Sequence, residues 1–180
     1  MNDEAEGLLL PYTGINLQDY GAAPEGIPEN VLRAPLKVHR LPNFPPNVTL
    51  RRATPGSSGV DVYAAIKQPV KLSVIGSRAT IPTGIRVEVP MGAELQVRPR
   101  SGLASKYGVT VLNAPGTIDS DYRGEVGVIM VLLGSGKFII EPGMAIAQLV
   151  MQEVIFPEIQ ITDELGETER GAGGFGSTGK

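Results

Sequence analysis

The chain has 180 residues, a formal net charge of −3, 42% hydrophobic residues, a single histidine and no cysteine. This is enough apolar material for one core with an appendage. The charge argues against a nucleic-acid binder that relies on a broad basic surface. The counts exclude a disulfide scaffold, a thiolate nucleophile or metal site, and a multi-histidine zinc site within one chain, and they disfavour a serine-histidine triad.

Residues 1–34 hold Pro11, Pro24 and Pro28 and show no sustained apolar period. They read as an extension in which Leu8-Leu9-Leu10 is a run able to dock on a core. The acidic start, with Asp3, Glu4 and Glu6, is unlike a secretory or transit leader, and no apolar run reaches membrane-spanning length. The expectation is a soluble, intracellular (cytoplasmic) protein with no membrane partner and no stable nucleic-acid partner. From Leu36 onward strands follow one another: 36–38, 60–65, 70–74, 85–89, 93–97, 109–112, 126–133, 138–140 and 146–150. His39, beside the first of them, is expected to be structural. Ile85, Val87 and Val89 alternate with Arg86 and Glu88, and Leu95 and Val97 with Gln96 and Arg98, the period of a sheet with one wet face. Residues 126–133 are nearly continuously apolar, as in a strand buried on both faces or lining a subunit interface. Few runs allow a helix. Short strands punctuated by Gly and Pro predict an all-β sandwich or jelly roll.

Four segments carry chemistry. Gly56-Ser57-Ser58-Gly59-Val60-Asp61 places a carboxylate in a strand-like alternation, where Mg²⁺, its bound water or an arginine partner gives it a reason. Pro99-Arg100-Ser101-Gly102-Leu103-Ala104 offers a guanidinium, a hydroxyl and exposed amides to phosphate oxygens, although Ser101 also suits a helix N-cap. Residues 112–125 lie between two apolar runs and read as a hairpin with a polar mouth. It supplies amides for the edge of a base, an aromatic ring for a sugar face and a carboxylate able to take a proton from water, and its plainer reading is an Asp-rich turn. Residues 170–180 contain five glycines, one arginine, Phe175, Ser177 and Thr178, a set suited to a planar base joined to a phosphate chain. Gly174 to Lys180 matches only the Gly-x-x-x-x-Gly-Lys part of a phosphate-binding P-loop and is not read as one.

Taken in order over roughly residues 36–180, these segments, with Gly143-Met144-Ala145-Ile146-Ala147-Gln148 between the last two, resemble the five motifs of the all-β trimeric dUTPase family. The resemblance implies a distorted jelly roll, a homotrimer with active sites shared between subunits, and hydrolysis of dUTP to dUMP and pyrophosphate with Mg²⁺. That activity limits uracil incorporation into DNA and supplies dUMP for dTMP synthesis. Beside the extension (1–34), which has no counterpart in the family's minimal form, it implies a β domain (35–165) and a flexible glycine-rich C-terminal arm (166–180) that closes over a neighbour's site.

Position by position, the resemblance makes Asp119 the base that activates water for attack on the α-phosphorus. Asn113 and the backbone of Gly116, Thr117 and Ile118 read uracil, and Tyr122 sits against the deoxyribose. Arg100, Ser101, Gly102 and Gln148 hold the phosphates, and Asp61 orients waters on Mg²⁺. Arg170, Phe175, Gly176, Ser177 and Thr178 close over the ligand, with the ring stacked on uracil. The chain departs from the pattern at Ala145, where many relatives carry a basic residue, and at Val60, where a bulkier residue is common. The same fold also serves dCTP deaminases and their bifunctional relatives, and a nucleotide-responsive binding protein without turnover is the alternative from another class. The tyrosine hairpin and the phenylalanine-bearing tail favour dUTPase.

Overall fold

The structure, a computed structural model, describes residues 35–174; the expected extension, 1–34, and Phe175, Gly176, Ser177 and Thr178 lie outside the described residues. Ten strands and one helix follow in order. They are β1 (Lys37–Arg40), β2 (Val60–Tyr63), β3 (Val70–Leu72), β4 (Arg78–Glu88), β5 (Ala93–Pro99), α1 (Ser101–Tyr107), β6 (Val109–Val111), β7 (Gly116–Ile118), β8 (Glu125–Leu132), β9 (Phe138–Ile140) and β10 (Ala145–Glu153). Two four-stranded sheets, β1-β4-β8-β6 and β2-β10-β5-β7, are accompanied by the pair β3-β9, and every pairing is antiparallel. The expected all-β sandwich of jelly-roll type is the observed architecture.

The two-residue periodicity sets which face each strand buries. Ile85 and Val87 on β4, Leu95 and Val97 on β5, and Val126, Val128, Met130 and Leu132 on β8 all turn inward and are buried. The opposite face of β8 is mixed, with Gly127 exposed, Ile129 partly buried and Val131 buried, so its continuous apolar run covers one fully packed face and a second that is open only near Gly127. Fully burying one such aliphatic side chain contributes about 1.5–3 kcal/mol, so this shared core is the main stabilising term.

Three features exceed the sequence expectation. β4 begins at Arg78 and passes through Pro82, which lies opposite Gly127 just before a register shift. At the bend Gly84 takes φ +71°, where a Cβ would run into the Phe44 backbone, while the buried Thr83 Oγ1 donates to the Val126 carbonyl at 2.6 Å. α1 starts in the segment whose Ser101 suited a helix N-cap, so the helix among otherwise strand-forming runs is capped one residue from that position. Its N-cap position is Arg100 rather than Ser101, and Gly108 ends it in the left-handed conformation. Finally, β6 and β8 pair as the expected hairpin, yet their connection detours through β7, which pairs with β5 in the other sheet.

Candidate functional site

The outer face of the β2-β10-β5-β7 sheet carries a row of polar and charged side chains. Asp61 on β2 lies opposite Gln148 on β10, and Gln148 lies opposite Arg98 on β5, so the three form one row across the sheet. Directly opposite residues share a face. At the end of β5 the chain turns into α1, and Arg100 swings back over this row. Its guanidinium pairs with Asp61 Oδ2 at 3.2 Å and donates to the Ala145 carbonyl at 3.0 Å. Both partners of the ion pair are 36% exposed, so it contributes at most about 1 kcal/mol to stability and serves mainly to orient the arginine.

Gln148 is pinned from two sides. Its Nε2 donates to the Pro99 carbonyl at 3.0 Å, and Gly59 lies so close that an added Cβ would overlap the amide oxygen. Ser101 and Gly102 open α1 as exposed residues beside this corner. An open groove of about 490 Å³ runs alongside, lined by Gln96, Arg98, Pro99, Ala114, Pro115 and Gln148.

The second cluster is the mouth between β7 and β8. The Tyr122 amide donates to the Asp119 carbonyl at 3.2 Å, and Arg123 donates to the Ser120 and Tyr122 carbonyls at 2.7 and 2.9 Å, which closes the turn. The Tyr122 hydroxyl donates to the Glu125 carbonyl at 3.0 Å, so the ring lies across Gly124, where any Cβ would collide with it. Asp119, Asn113 and Thr117 are exposed, whereas Gly116 and Ile118 are buried as strand residues. Asn113 folds back over Gly116.

The register sets how far apart these clusters lie. Ile118 is opposite Leu95 and Gly116 opposite Val97, which carries Asp119 to the level of Glu94. The Asp61–Gln148–Arg98 row, over which Arg100 folds back, is four residues beyond that level, so at the strand rise the row and the Asp119 mouth stand about 13 Å apart along β5. The chain therefore brings Asp61, Arg100, Ser101, Gly102 and Gln148 together at one end and holds Asp119 and Tyr122 at the other, with Asn113 nearer the first end. Arg170 is exposed, and its side chain hydrogen-bonds only the Gly173 carbonyl among the described residues, at 2.8 Å. The sequence reading assigned no role to Gly59, Gly124 or Arg123, although all three lie inside segments it singled out. Glycine beside an anchored side chain is the signal that points to the first two.

The model of the dUTPase family matches residues 47–179. The chain is 58% identical over 127 residues to the deoxyuridine 5′-triphosphate nucleotidohydrolase of Chlamydia pneumoniae, covering 70% of this chain and 87% of that one. It is 54% identical over 127 residues to that of Brucella melitensis biotype 1, covering 70% and 81%. Among solved structures, the Staphylococcus bacteriophage 80alpha dUTPase with dUPNHPP superposes with a TM-score of 0.68 at 28% identity, covering 81% of this chain and 98% of that chain. With the family motifs arranged on two antiparallel sheets and these relatives spanning the β domain, the chain belongs to the dUTPase family.

Proposed function

We propose that this protein hydrolyses dUTP to dUMP and pyrophosphate, and that its working form is a homotrimer in which each site is built from more than one copy. The observation that carries this reading is the division of one family's site into two clusters at opposite ends of β5, about 13 Å apart by the strand register, where the reacting groups must instead converge on a single α-phosphorus. Cyclic symmetry offers the remedy, because rotation about a three-fold axis places one copy's Asp119 mouth against the next copy's Asp61–Arg100–Gln148 corner. The part of β8's outer face about Gly127 and Ile129 is the surface we assign to contact around that axis. Residues 166–180 are assigned as the arm that completes the site, and residues 1–34 as an extension outside it.

Within such a site Asp119 accepts a proton from water, whose oxygen attacks the α-phosphorus as the bond to the bridging oxygen of pyrophosphate breaks. The exposed carboxylate is reachable by water, as a base must be. Arg100, Gln148 and the amides beside Ser101 and Gly102 bind the triphosphate, and Tyr122 packs the deoxyribose. The contact of its hydroxyl with the Glu125 carbonyl orients the ring across Gly124, which suits it to disfavour a sugar with a 2′-hydroxyl. Phe175, Gly176, Ser177 and Thr178 are placed over the ligand by motif position alone.

The residues present fit Mg²⁺ of a particular kind. Among the described residues no cluster of three His, Cys, Asp or Glu side chains forms a protein cage. A single carboxylate, Asp61, with one oxygen committed to Arg100 and the other open, suits an ion carried largely by phosphate oxygens and water. When bound, the ion neutralises phosphate charge. Incubating the protein with Mg²⁺ and dUTP, dCTP, dTTP or UTP tests the reading. Pyrophosphate from dUTP alone is expected; ammonia from dCTP would move the protein to the deaminase branch, and no product from any of the four would leave a binding protein.

A further inference from the structure

We propose that Arg98 is a further substrate-binding residue, a second guanidinium that takes the phosphate chain beside Gln148; this rests on the dUTP reading above. The two arginines of this face differ in their state. Arg100 is neutralised by Asp61 at 3.2 Å. Arg98, partly buried in the same cross-strand row, uses its Nε to donate to the neutral Gln96 Oε1 at 2.8 Å, and Gln96 in turn gives its Nε2 to Glu94 Oε1 at 2.5 Å. The nearby carboxylate is therefore spent on an amide. Among the described residues no carboxylate oxygen lies within 4.0 Å of Arg98.

The ladder Glu94–Gln96–Arg98 runs along one face of β5 and fixes the guanidinium by its Nε, leaving its terminal N–H groups for the groove that Arg98 lines with Gln148, Pro99, Ala114 and Pro115. A partly desolvated cation without a counterion is costly, and the cost falls when an anion arrives. One carboxylate faces two guanidiniums across Gln148, so the corner as a whole calls for negative charge. Arg98 and Arg100 are two strand residues apart, about 6.6 Å, a spacing that a single polyphosphate chain can bridge. A planar fork already held at Nε loses little rotamer freedom on binding, which suits it to phosphate oxygens.

The test compares wild type with Arg98→Ala and Arg98→Lys, the latter keeping the stem and the charge. Calorimetry with deoxyuridine, dUMP, dUDP and a hydrolysis-resistant dUTP analogue is combined with thermal melting and light scattering. In Arg98→Ala, affinity for the triphosphate analogue should fall about tenfold or more, with KM for dUTP rising in parallel and deoxyuridine unaffected, and Arg98→Lys should recover part of the loss. Unchanged affinity in a folded Arg98→Ala overturns the inference, as does an equal loss for all four ligands. A fall in oligomer mass that higher protein concentration reverses also overturns it, because the anion would then be a carboxylate of a second copy. Wild-type protein that neither binds nor cleaves dUTP removes the functional reading together with this inference, whereas normal wild-type turnover with indifferent variants removes this inference alone.

Discussion

At the residue scale the site depends on a few side chains held by unobtrusive neighbours. Asp119 is exposed and makes none of the side-chain hydrogen bonds that pin Gln148 and Tyr122, so replacing it removes proton transfer and little else. Asp119→Asn should lower kcat by about 10² to 10⁴ while leaving affinity for a dUTP analogue near the wild-type value, measured by steady-state kinetics beside calorimetry. A variant with near-native turnover would remove Asp119 from the base role. Gly59 makes the complementary case. A methyl group there must displace the Gln148 amide from its bond to Pro99, so Gly59→Ala should raise KM for dUTP roughly tenfold without a matching loss of thermal stability. If KM stays fixed while the melting temperature falls, Gly59 serves the fold and not the phosphate corner. Asp61, Arg100 and Gln148 were legible in the sequence because each belongs to a motif. Gly59 was not, because its function is to be small beside a side chain about ninety residues away, and nothing local records that.

At the element scale, short apolar and alternating runs between clear turns were readable nearly to their ends: 138–140 coincides with β9, and 93–97 falls two residues short of β5. The elements that escaped are those where tertiary pairing overrides local preference. The first half of β4 contains Pro82 and Gly84, both poor strand residues in isolation, but Pro82 lies opposite Gly127 and Thr83 is fixed by its bond to Val126. β7 is three residues of mixed character whose partner, β5, lies in the other sheet. Thr83→Val keeps the shape of this bend and removes the bond, leaving the Val126 carbonyl short of a partner. It should destabilise the protein by about 1–3 kcal/mol in a denaturant titration, with dUTP affinity unchanged. No loss of stability would mean that the bend holds through Gly84 alone. At the free edge of that sheet the hydrogen bond from Lys37, at 2.6 Å, and the charge of the same ammonium hold the Glu88 carboxyl below its usual range. A carboxyl with a depressed folded-state pKa contributes stability that is present above its unfolded value and is lost as pH falls through the folded one. The difference in melting temperature between wild type and Glu88→Gln should therefore be present at neutral pH and vanish in strong acid. A difference that persists in acid would assign it to packing.

At the scale of the whole molecule the decisive quantity is the distance between the two clusters, and the sequence had no means of giving it. Motif order along the chain says nothing about which end of a strand each motif reaches. That follows only from β7 pairing with β5 in the register Leu95 opposite Ile118, which sends Asp119 away from Arg100. If sites lie between copies, two different inactive chains can repair one another. Asp119→Asn and Arg100→Ala subunits, each nearly inactive alone, should regain activity when co-expressed in equal amounts, because some interfaces will join an intact Asp119 from one copy to an intact Arg100 from the next. With random assembly into a cyclic trimer, each interface has an even chance of the right residue on both of its sides independently, so about a quarter of sites should be wild type. Co-expression matters, since stable oligomers mixed after folding exchange subunits too slowly to be informative. Recovery near that fraction, together with a mass of three chains by light scattering, would support the shared site. Mixed oligomers without recovery would mean that one chain joins its own two clusters, and the strand register argues against that because it holds them at opposite ends of β5.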